Sequence, residues 1–168
     1  MRRGVAQEIR QGKPFRSRAQ EATVSLLRTA SVVNRVVSRS LESSGLSFAQ
    51  YNALRIIRGA GAGGIATLDV RQRMIEEGTT ITRILDKLEE AELISRERAE
   101  PDRRQVVCYA TAKGRRLLDG LDPVVDAADE GAVSALTARQ LDALIELLEV
   151  IRRSNAKRGA PRTMVKAE

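Results

Sequence analysis

Histidine and tryptophan are absent from this chain of 168 residues, and Cys108 is its only cysteine. The lack of histidine excludes a serine or cysteine nucleophile that is activated by imidazole. A single thiol can form neither an intrachain disulfide nor a zinc site built from cysteine and histidine. Paired carboxylates could still perform acid–base chemistry, but no such pair stands out in an apolar setting. We therefore expect a protein that is not an enzyme and has no metal or cofactor.

Aromatic residues are also scarce, with two phenylalanines and two tyrosines. The core must therefore be built from Leu, Ile, Val and Ala, which suits packed helices better than a β-sandwich. No run of about 18 apolar residues occurs, and no apolar segment follows the Arg2-Arg3 start. We expect no membrane span and no signal peptide, and a cytoplasmic location.

The formal net charge of +7 is concentrated at the two ends of the chain. Residues 1–18 and 152–168 contribute +5 each, so the segment between them carries −3. A basic chain suggests a nucleic-acid partner, but here the bulk charge does not locate the contact. The ends predict a loosely ordered basic arm over residues 1–16 and a basic tail over 157–168, which could touch phosphates or remain solvated.

The stretch from Thr67 to Thr111 indicates a specific supersecondary motif. It predicts a short helix, a turn at Gly78, and a second helix from Thr79 to about Ala91. Two strands follow, Ile94–Arg98 and Gln105–Thr111, joined by the charged loop AEPDRR. A helix, a turn, a helix and a β-hairpin together predict a winged helix-turn-helix, which lays its second helix in a DNA groove.

The second helix of the motif is amphipathic, because its apolar residues fall within one arc of roughly 120° at 100° per residue. These residues are Ile81, Ile84, Leu85, Leu88 and Ala91. Short hydroxyl residues and an arginine lie away from this arc near the helix start, which suits contact with base edges. An ordinary surface helix would show the same arc. The candidate DNA-contacting residues of the two helices are Thr79, Thr80, Thr82, Arg83, Lys87 and Arg71.

The hairpin loop supplies a second candidate contact. Arg103 and Arg104 follow Pro101 and Asp102 at its tip, where an arginine can enter a minor groove. Paired arginines at a loop tip are also compatible with solvated charge.

The sequence also marks where helices start. Ser47-Phe-Ala-Gln50 is a capping box. Thr67 is expected to cap the first helix of the motif, and Thr79 or Thr80 the second.

The order of these residues resembles the MarR family of bacterial transcriptional regulators. The resemblance rests on SFAQYNALRIIRGAG, RMIEEGTTITRILDKLE, LISRERAEPDRR and the following T-x-x-G, and it is dense from Ser47 to Leu118. It implies a homodimer that binds a pseudo-palindromic operator in double-stranded DNA and is released by a small ligand or by oxidation. It also implies that Asp102 braces the wing and that Arg104 is its groove-inserted tip. Many members bind small aromatic acids between the dimer helices and the DNA-binding module. Oxidation-sensing members use a cysteine in the N-terminal helices, which this chain lacks, whereas Cys108 is expected to be buried.

Long helices are predicted on both sides of the motif. One runs from Arg18 to Ser43, and another from Ala112 to Val133, where Pro123 should kink or interrupt it. The acidic run of Asp122, Asp126, Asp129 and Glu130 is expected to be solvated away from DNA. A last helix follows a second capping box, Thr137-Ala-Arg-Gln140. Its near-heptad apolar spacing fits either an intrachain core or a dimer interface, and we favour the interface. The candidate interface residues are Leu26, Val33, Leu141, Leu144, Leu148 and Ile151.

The predicted fold is mostly α, a winged helix-turn-helix with a small β-hairpin wing and flanking long dimerisation helices. The expected segments are the arm 1–16, a dimerisation helix in 17–46, the DNA-binding domain 47–111, dimerisation helices in 112–156 and the tail 157–168. We expect a homodimeric, sequence-specific transcriptional regulator, a repressor relieved by a small ligand. Two alternatives stay open: a nucleoid-type protein that binds DNA non-specifically, and a winged-helix module for protein interaction.

Overall fold

A computed structural model describes residues 4–75, 80–99 and 105–159 of the chain. The helices are α1 (Val5–Glu8), α2 (Arg18–Ser40), α3 (Phe48–Gly59), α4 (Thr67–Arg73), α5 (Ile81–Glu90), α6 (Ala112–Val133) and α7 (Ala138–Gly159). The strands are β1 (Ile65–Ala66), β2 (Ile94–Arg98) and β3 (Val106–Ala110). The prediction of a mostly α fold with a helix-turn-helix and a β-hairpin wing is confirmed. The described part of the N-terminal arm contains one helical turn, α1.

Two helix starts follow from the predicted capping boxes. The Ser47 hydroxyl accepts a hydrogen bond from the Gln50 backbone N–H at 3.3 Å, and the Gln50 side chain accepts one from the Ser47 N–H at 2.9 Å. Thr137 and Gln140 make the same reciprocal pair at 3.3 and 2.9 Å. Each box satisfies two backbone donors that the first helical turn leaves free. The chain therefore enters α3 and α7 where the sequence predicts.

Three other local predictions need correction. Thr67 does not cap α4: Ala66 precedes the helix, and the Thr67 hydroxyl donates to the Val106 carbonyl at 3.2 Å instead. Thr80 does precede α5, but its side chain makes no capping hydrogen bond. Pro123 does not interrupt α6, which is continuous from Ala112 to Val133.

The described residues fall into two compact units that divide after Asp129. The first unit contains an aliphatic core in which Tyr51 is the only buried aromatic side chain among the described residues. Eight core side chains are almost fully buried: Leu41, Leu54, Ile57, Val70, Leu85, Leu88, Cys108 and Leu118. The second unit contains the end of α6 and all of α7. The near-absence of aromatic residues thus leads to a core of helices joined by aliphatic contacts, as expected.

The wing is a three-stranded antiparallel sheet in the order β1-β3-β2. Ile65 of β1 and Arg96 of β2 both lie opposite Cys108 of the central strand. Cys108 is fully buried, as predicted, and burial raises the pKa of its thiol. A buried thiol of raised pKa is a weak nucleophile.

The T-x-x-G motif joins the start of α6 to the turn between α5 and β2. The Thr111 hydroxyl donates to the Glu92 carbonyl at 2.8 Å and accepts from the Gly114 N–H at 3.0 Å, while the Thr111 N–H donates to the Leu93 carbonyl at 3.1 Å. A Cβ atom on Gly114 would lie 2.1 Å from the Leu93 carbonyl oxygen. Only glycine therefore allows α6 to begin this close to the turn.

Candidate nucleic-acid interface

The inward face of α5 is as the sequence predicts. Its four apolar residues, Ile81, Ile84, Leu85 and Leu88, are buried against the core. Ala91, which was expected to continue this face, is exposed because α5 ends at Glu90. Burial of one face fixes the rotation of the helix about its axis, so the opposite face must point to solvent.

The outward face of α5 carries hydroxyl and basic side chains. Thr80, Thr82, Arg83 and Lys87 are all exposed. Neither Arg83 nor Lys87 forms an ion pair with another described residue. Thr80, Arg83 and Lys87 line a cleft of about 360 Å³ together with residues of the first turn of α3, beginning at Ser47. Two free cations therefore stand beside a helix N-terminus, where backbone N–H groups favour anions.

Of the remaining predicted site residues, one lies within the described part of the chain and the others do not. Arg71 is exposed on α4. Thr79, Asp102, Arg103 and Arg104 lie outside the described residues. The hairpin that leads to the wing tip is described up to Ala99 and from Gln105, whose carbonyl accepts the Ala99 N–H at 2.9 Å.

An arginine of the wing joins β2 to α5. The Arg96 guanidinium donates to Glu89 at 2.9 and 2.5 Å and forms an ion pair with Asp86 at 2.7 Å. The hydrogen bond from Arg96 lowers the pKa of the Glu89 carboxyl, and the same bond raises the pKa of Arg96. We call this group the wing clamp. Arg96 carries one positive charge and contacts two of the three acids on α5, so the clamp keeps a net charge of −1. Arg83, Lys87 and Glu90 form no ion pair with another described residue.

Sequence reasoning did not find the wing clamp, although one signal was available. Side chains alternate between the faces of a strand, so Arg96 shares a face with the buried Ile94. A cation two residues beyond a core residue points towards the element that covers the core. That element is α5, which carries two carboxylates one turn apart.

A second clamp joins α3 to α6. Arg58 donates two hydrogen bonds to Asp122, at 2.8 and 3.0 Å, and one to Asp119 at 3.2 Å. The bond to Asp122 raises the pKa of Arg58. We call this group the α6 clamp. The prediction that the acidic run is solvated is therefore wrong for Asp122, which is half-buried and paired. Asp126, Asp129 and Glu130 are exposed, as predicted.

An apolar cleft of about 460 Å³ lies between α2, α3 and α6. Its wall includes Ile75, which follows α4 and is the last described residue before the turn into α5. The Ile75 N–H donates to the side-chain oxygen of Asn52 at 2.9 Å, and Asn52 is buried in α3. The cleft is therefore lined by a residue at the start of the segment that joins α4 to α5.

The predicted interface residues retain exposed apolar surface. In α2, Leu26 is exposed and Val33 is half-buried; in α7, Leu144 and Ile151 are exposed, and Leu141 and Leu148 are half-buried. Other large apolar side chains of α7 are also exposed: Ile145, Leu147 and Val150. Among the described residues, no helix is both long enough and apolar enough to cross a bilayer.

Comparison with known proteins agrees with this architecture. A family model for the transcriptional regulator SarA/Rot matches residues 35–121. An HTH-type transcriptional repressor of Mycobacterium tuberculosis is 27% identical over 124 residues, which are 74% of this chain and 88% of that protein.

Solved structures show the same fold. A MarR transcription factor from Planctomyces limnophilus is 34% identical, has a TM-score of 0.63, and the match covers 82% of this chain and 99% of that one. CouR from Rhodococcus jostii RHA1, bound to p-coumaroyl-CoA, is 26% identical, has a TM-score of 0.68, and the match covers 82% and 95%. The chain therefore belongs to the winged-helix transcriptional regulators of the MarR and SarA/Rot families, which bind DNA.

Proposed function

We propose that this regulator is a homodimeric repressor that reads a pseudo-palindromic operator and is released from it by a small ligand. The observation that carries the DNA-reading role is the outward face of α5. On that face Arg83 and Lys87 are exposed and unpaired among the described residues, while Arg96 binds Asp86 and Glu89 and offsets one of their two charges. The helix therefore presents hydroxyl and cationic groups to an anionic partner.

In this proposal α5 enters the major groove. Arg83 lies one turn into the helix, so its planar fork reaches a base edge, with guanine the best match. Thr79, Thr80 and Thr82 contact bases near the helix start. Lys87, and Arg71 on α4, bind phosphates, which position the protein without reading sequence.

The wing provides the second contact. Arg104 enters the flanking minor groove, Arg103 lies beside it near the phosphates, and Asp102 braces the loop. This assignment rests on the D-R-R sequence and on the β2–β3 hairpin that leads to it. An inserted arginine is favoured where the minor groove is narrow, as in A/T-rich DNA.

The test compares Arg83→Ala with Arg104→Ala on operators that vary at the centre of each half-site and at the flanks. Arg83→Ala should cost about 1–3 kcal/mol per half-site and relax the preference at one symmetric base position. Arg104→Ala should weaken binding most at A/T-rich flanks. Arg39→Ala, which removes an exposed arginine from α2, is the matched control.

Other outcomes would favour the competing functions. Equal losses on every sequence for both variants would mean that these arginines only neutralise phosphates, as in a nucleoid-type protein. Absence of salt-dependent binding of the unmodified chain to duplex DNA would favour a protein-interaction module.

The homodimer is built in this proposal from α2 and the C-terminal helices. Five large apolar side chains of α7 are exposed, which favours a partner surface there: Leu144, Ile145, Leu147, Val150 and Ile151. Leu144→Glu with Leu148→Glu should give a monomer or an aggregate with weak operator binding. Arg139→Glu changes a charge on the other side of the same helix and should leave the dimer intact. A stable monomer of the double variant that keeps full operator affinity in sedimentation and binding assays would contradict the proposal.

Release by a ligand is assigned to the apolar cleft. A ligand that fills the cleft contacts Ile75, and Ile75 leads directly into the turn before α5. A ligand shifts DNA affinity only if it binds the DNA-binding conformation and the released conformation of the protein with different affinities. CouR, solved with a bound acyl-CoA compound, supports a small organic effector for a protein of this fold.

A further inference from the structure

The apolar cleft continues into a second, polar cleft of about 270 Å³. The two share Tyr51, Arg55, Val125 and Asp129. The first is lined mainly by aliphatic and aromatic side chains of α2, α3 and α6, and the second mainly by charged side chains of α3 and α6. A ligand that occupies both parts must therefore have an apolar body and a polar end.

The charges around the polar part are mostly negative. Arg58 is already paired with Asp122 and Asp119 through the α6 clamp. Of the other ionisable groups that line it, Arg55 is the one cation, and Asp126 and Asp129 are the anions. None of these three forms an ion pair with another described residue. The polar part therefore has an excess of negative charge.

Tyr51 marks the junction of the two parts. Its side chain is only 2% exposed, and its hydroxyl makes no hydrogen bond to another described residue. Burial raises the pKa of Tyr51, so the hydroxyl keeps its proton near neutral pH. Tyr51 lines both parts of the cleft, so its hydroxyl is available to a ligand there. The hydroxyl thus lacks a partner where the ligand's polar end would lie.

We propose that this two-part cleft takes an amphipathic organic cation, with its apolar body against α2 and its ammonium group between Asp126, Asp129 and the Tyr51 hydroxyl. This inference rests on the proposed function, because it names the chemical class of the effector. It departs from the small aromatic acids that the family resemblance implies. The phenol oxygen accepts a hydrogen bond from the ammonium, and the two carboxylates supply the compensating charge.

A carboxylate ligand fits this site less well. It could pair with Arg55, but the Arg55 guanidinium already lies 5.6 Å from the centre of the Tyr51 ring, within the range of a cation–π contact. The carboxylate would also approach Asp126 and Asp129, and like charges in a partly desolvated site repel.

The test uses three probes with one apolar body: 4-phenylbutylamine, 4-phenylbutanol and 4-phenylbutyrate. Their binding to the full chain without DNA is measured by calorimetry. The amine should bind about tenfold more tightly than the butyrate, a difference of about 1.4 kcal/mol, with the alcohol between them. Asp129→Asn should remove most of the advantage of the amine and leave the alcohol unchanged. Asp142→Asn removes the same charge from α7 and should change nothing.

Tyr51→Phe keeps the ring and should weaken binding of the amine more than binding of butylbenzene, a probe without the polar end. Tighter binding of the butyrate, an amine affinity insensitive to Asp129→Asn, or no detectable binding of any probe would overturn the inference. Operator release is measured separately for each probe. If the butyrate binds best and releases the operator, the proposed function is supported and the inference of a cationic ligand is wrong. If the amine binds as expected without release, the assignment of ligand release to this cleft fails instead.

Discussion

The wing clamp and the α6 clamp use the same local chemistry to different effect. In each, one arginine joins two acids on a neighbouring helix, and the two arginine side chains are equally buried, at 24% exposure for Arg96 and 26% for Arg58. Around the wing clamp, two cations and one acid of α5 form no ion pair with another described residue: Arg83, Lys87 and Glu90. Around the α6 clamp, Asp126 and Asp129 remain free on α6. The character of each surface is thus set by the charges that pairing leaves over.

This difference explains why the charge of a sequence segment does not reveal its partner. The helix that we assign to the major groove carries Asp86, Glu89 and Glu90 beside its cations. Pairing with Arg96 offsets one of these negative charges. The composition of α5 alone gives a net charge of −1.

The largest expected effect comes from replacing the arginine of each clamp in turn. These two substitutions test whether the clamps differ in their effect on DNA binding. Arg96→Met leaves Asp86 and Glu89 uncompensated near the DNA phosphates, so operator affinity at low salt should fall about tenfold or more. Arg58→Met makes the same change beside the free acids of α6, and operator affinity should stay within about twofold of the unmodified protein. Fluorescence anisotropy over a salt series measures both. Equal losses of operator affinity for the two variants would show that the wing clamp has no special role in DNA binding.

A smaller effect sharpens the role of charge at the wing clamp. Adding Asp86→Asn and Glu89→Gln to Arg96→Met removes the unpaired carboxylates but does not restore the bridge. Affinity should recover by about threefold if repulsion of phosphate is the main loss. No recovery would mean that Arg96 acts by fixing the wing, and Arg96→Lys, which keeps the charge without the planar fork, would then bind as weakly as Arg96→Met.

The smallest expected effect is on stability as a function of pH. Arg96 lowers the pKa of Glu89 from its ordinary value of 4.5. The stabilisation is therefore present above that value and is lost as pH falls through the lower pKa of the folded state. Because Glu89 is partly exposed, the free energy of unfolding of Glu89→Gln should differ from that of the unmodified protein by less than about 1 kcal/mol. Urea unfolding at pH 7 and at pH 3 should show a larger difference at pH 7.

Much of this fold follows from local sequence signals. The period of 3.6 residues placed Ile81, Ile84, Leu85 and Leu88 in the core, and the reciprocal caps fixed the starts of α3 and α7. The wing hairpin and the buried Cys108 were also predicted. These features depend on residues a few positions apart, or on a family motif that specifies the pairing.

The clamps could not be read in the same way because their partners are distant in sequence. Arg58 and Asp122 are 64 positions apart, so their pairing depends on how α3 and α6 pack. Thr67 was expected to cap α4, but Ala66 holds the position before the helix and the Thr67 hydroxyl donates to the distant Val106 carbonyl. Pro123 was expected to kink or interrupt α6, and the helix is not interrupted there.

The wing clamp also constrains the DNA that this protein can recognise. Arg96 joins β2 to α5, so under the proposed function the α5 contact and the wing contact of one protomer should keep a fixed spacing. The number of base pairs between the bases read by α5 and the minor-groove flank should therefore be invariant among its operators. Changes in the number of base pairs should be tolerated only between the two half-sites, because in the proposed dimer the contact between protomers lies there. Selection of binding sites from random duplexes should recover half-sites of one fixed internal length.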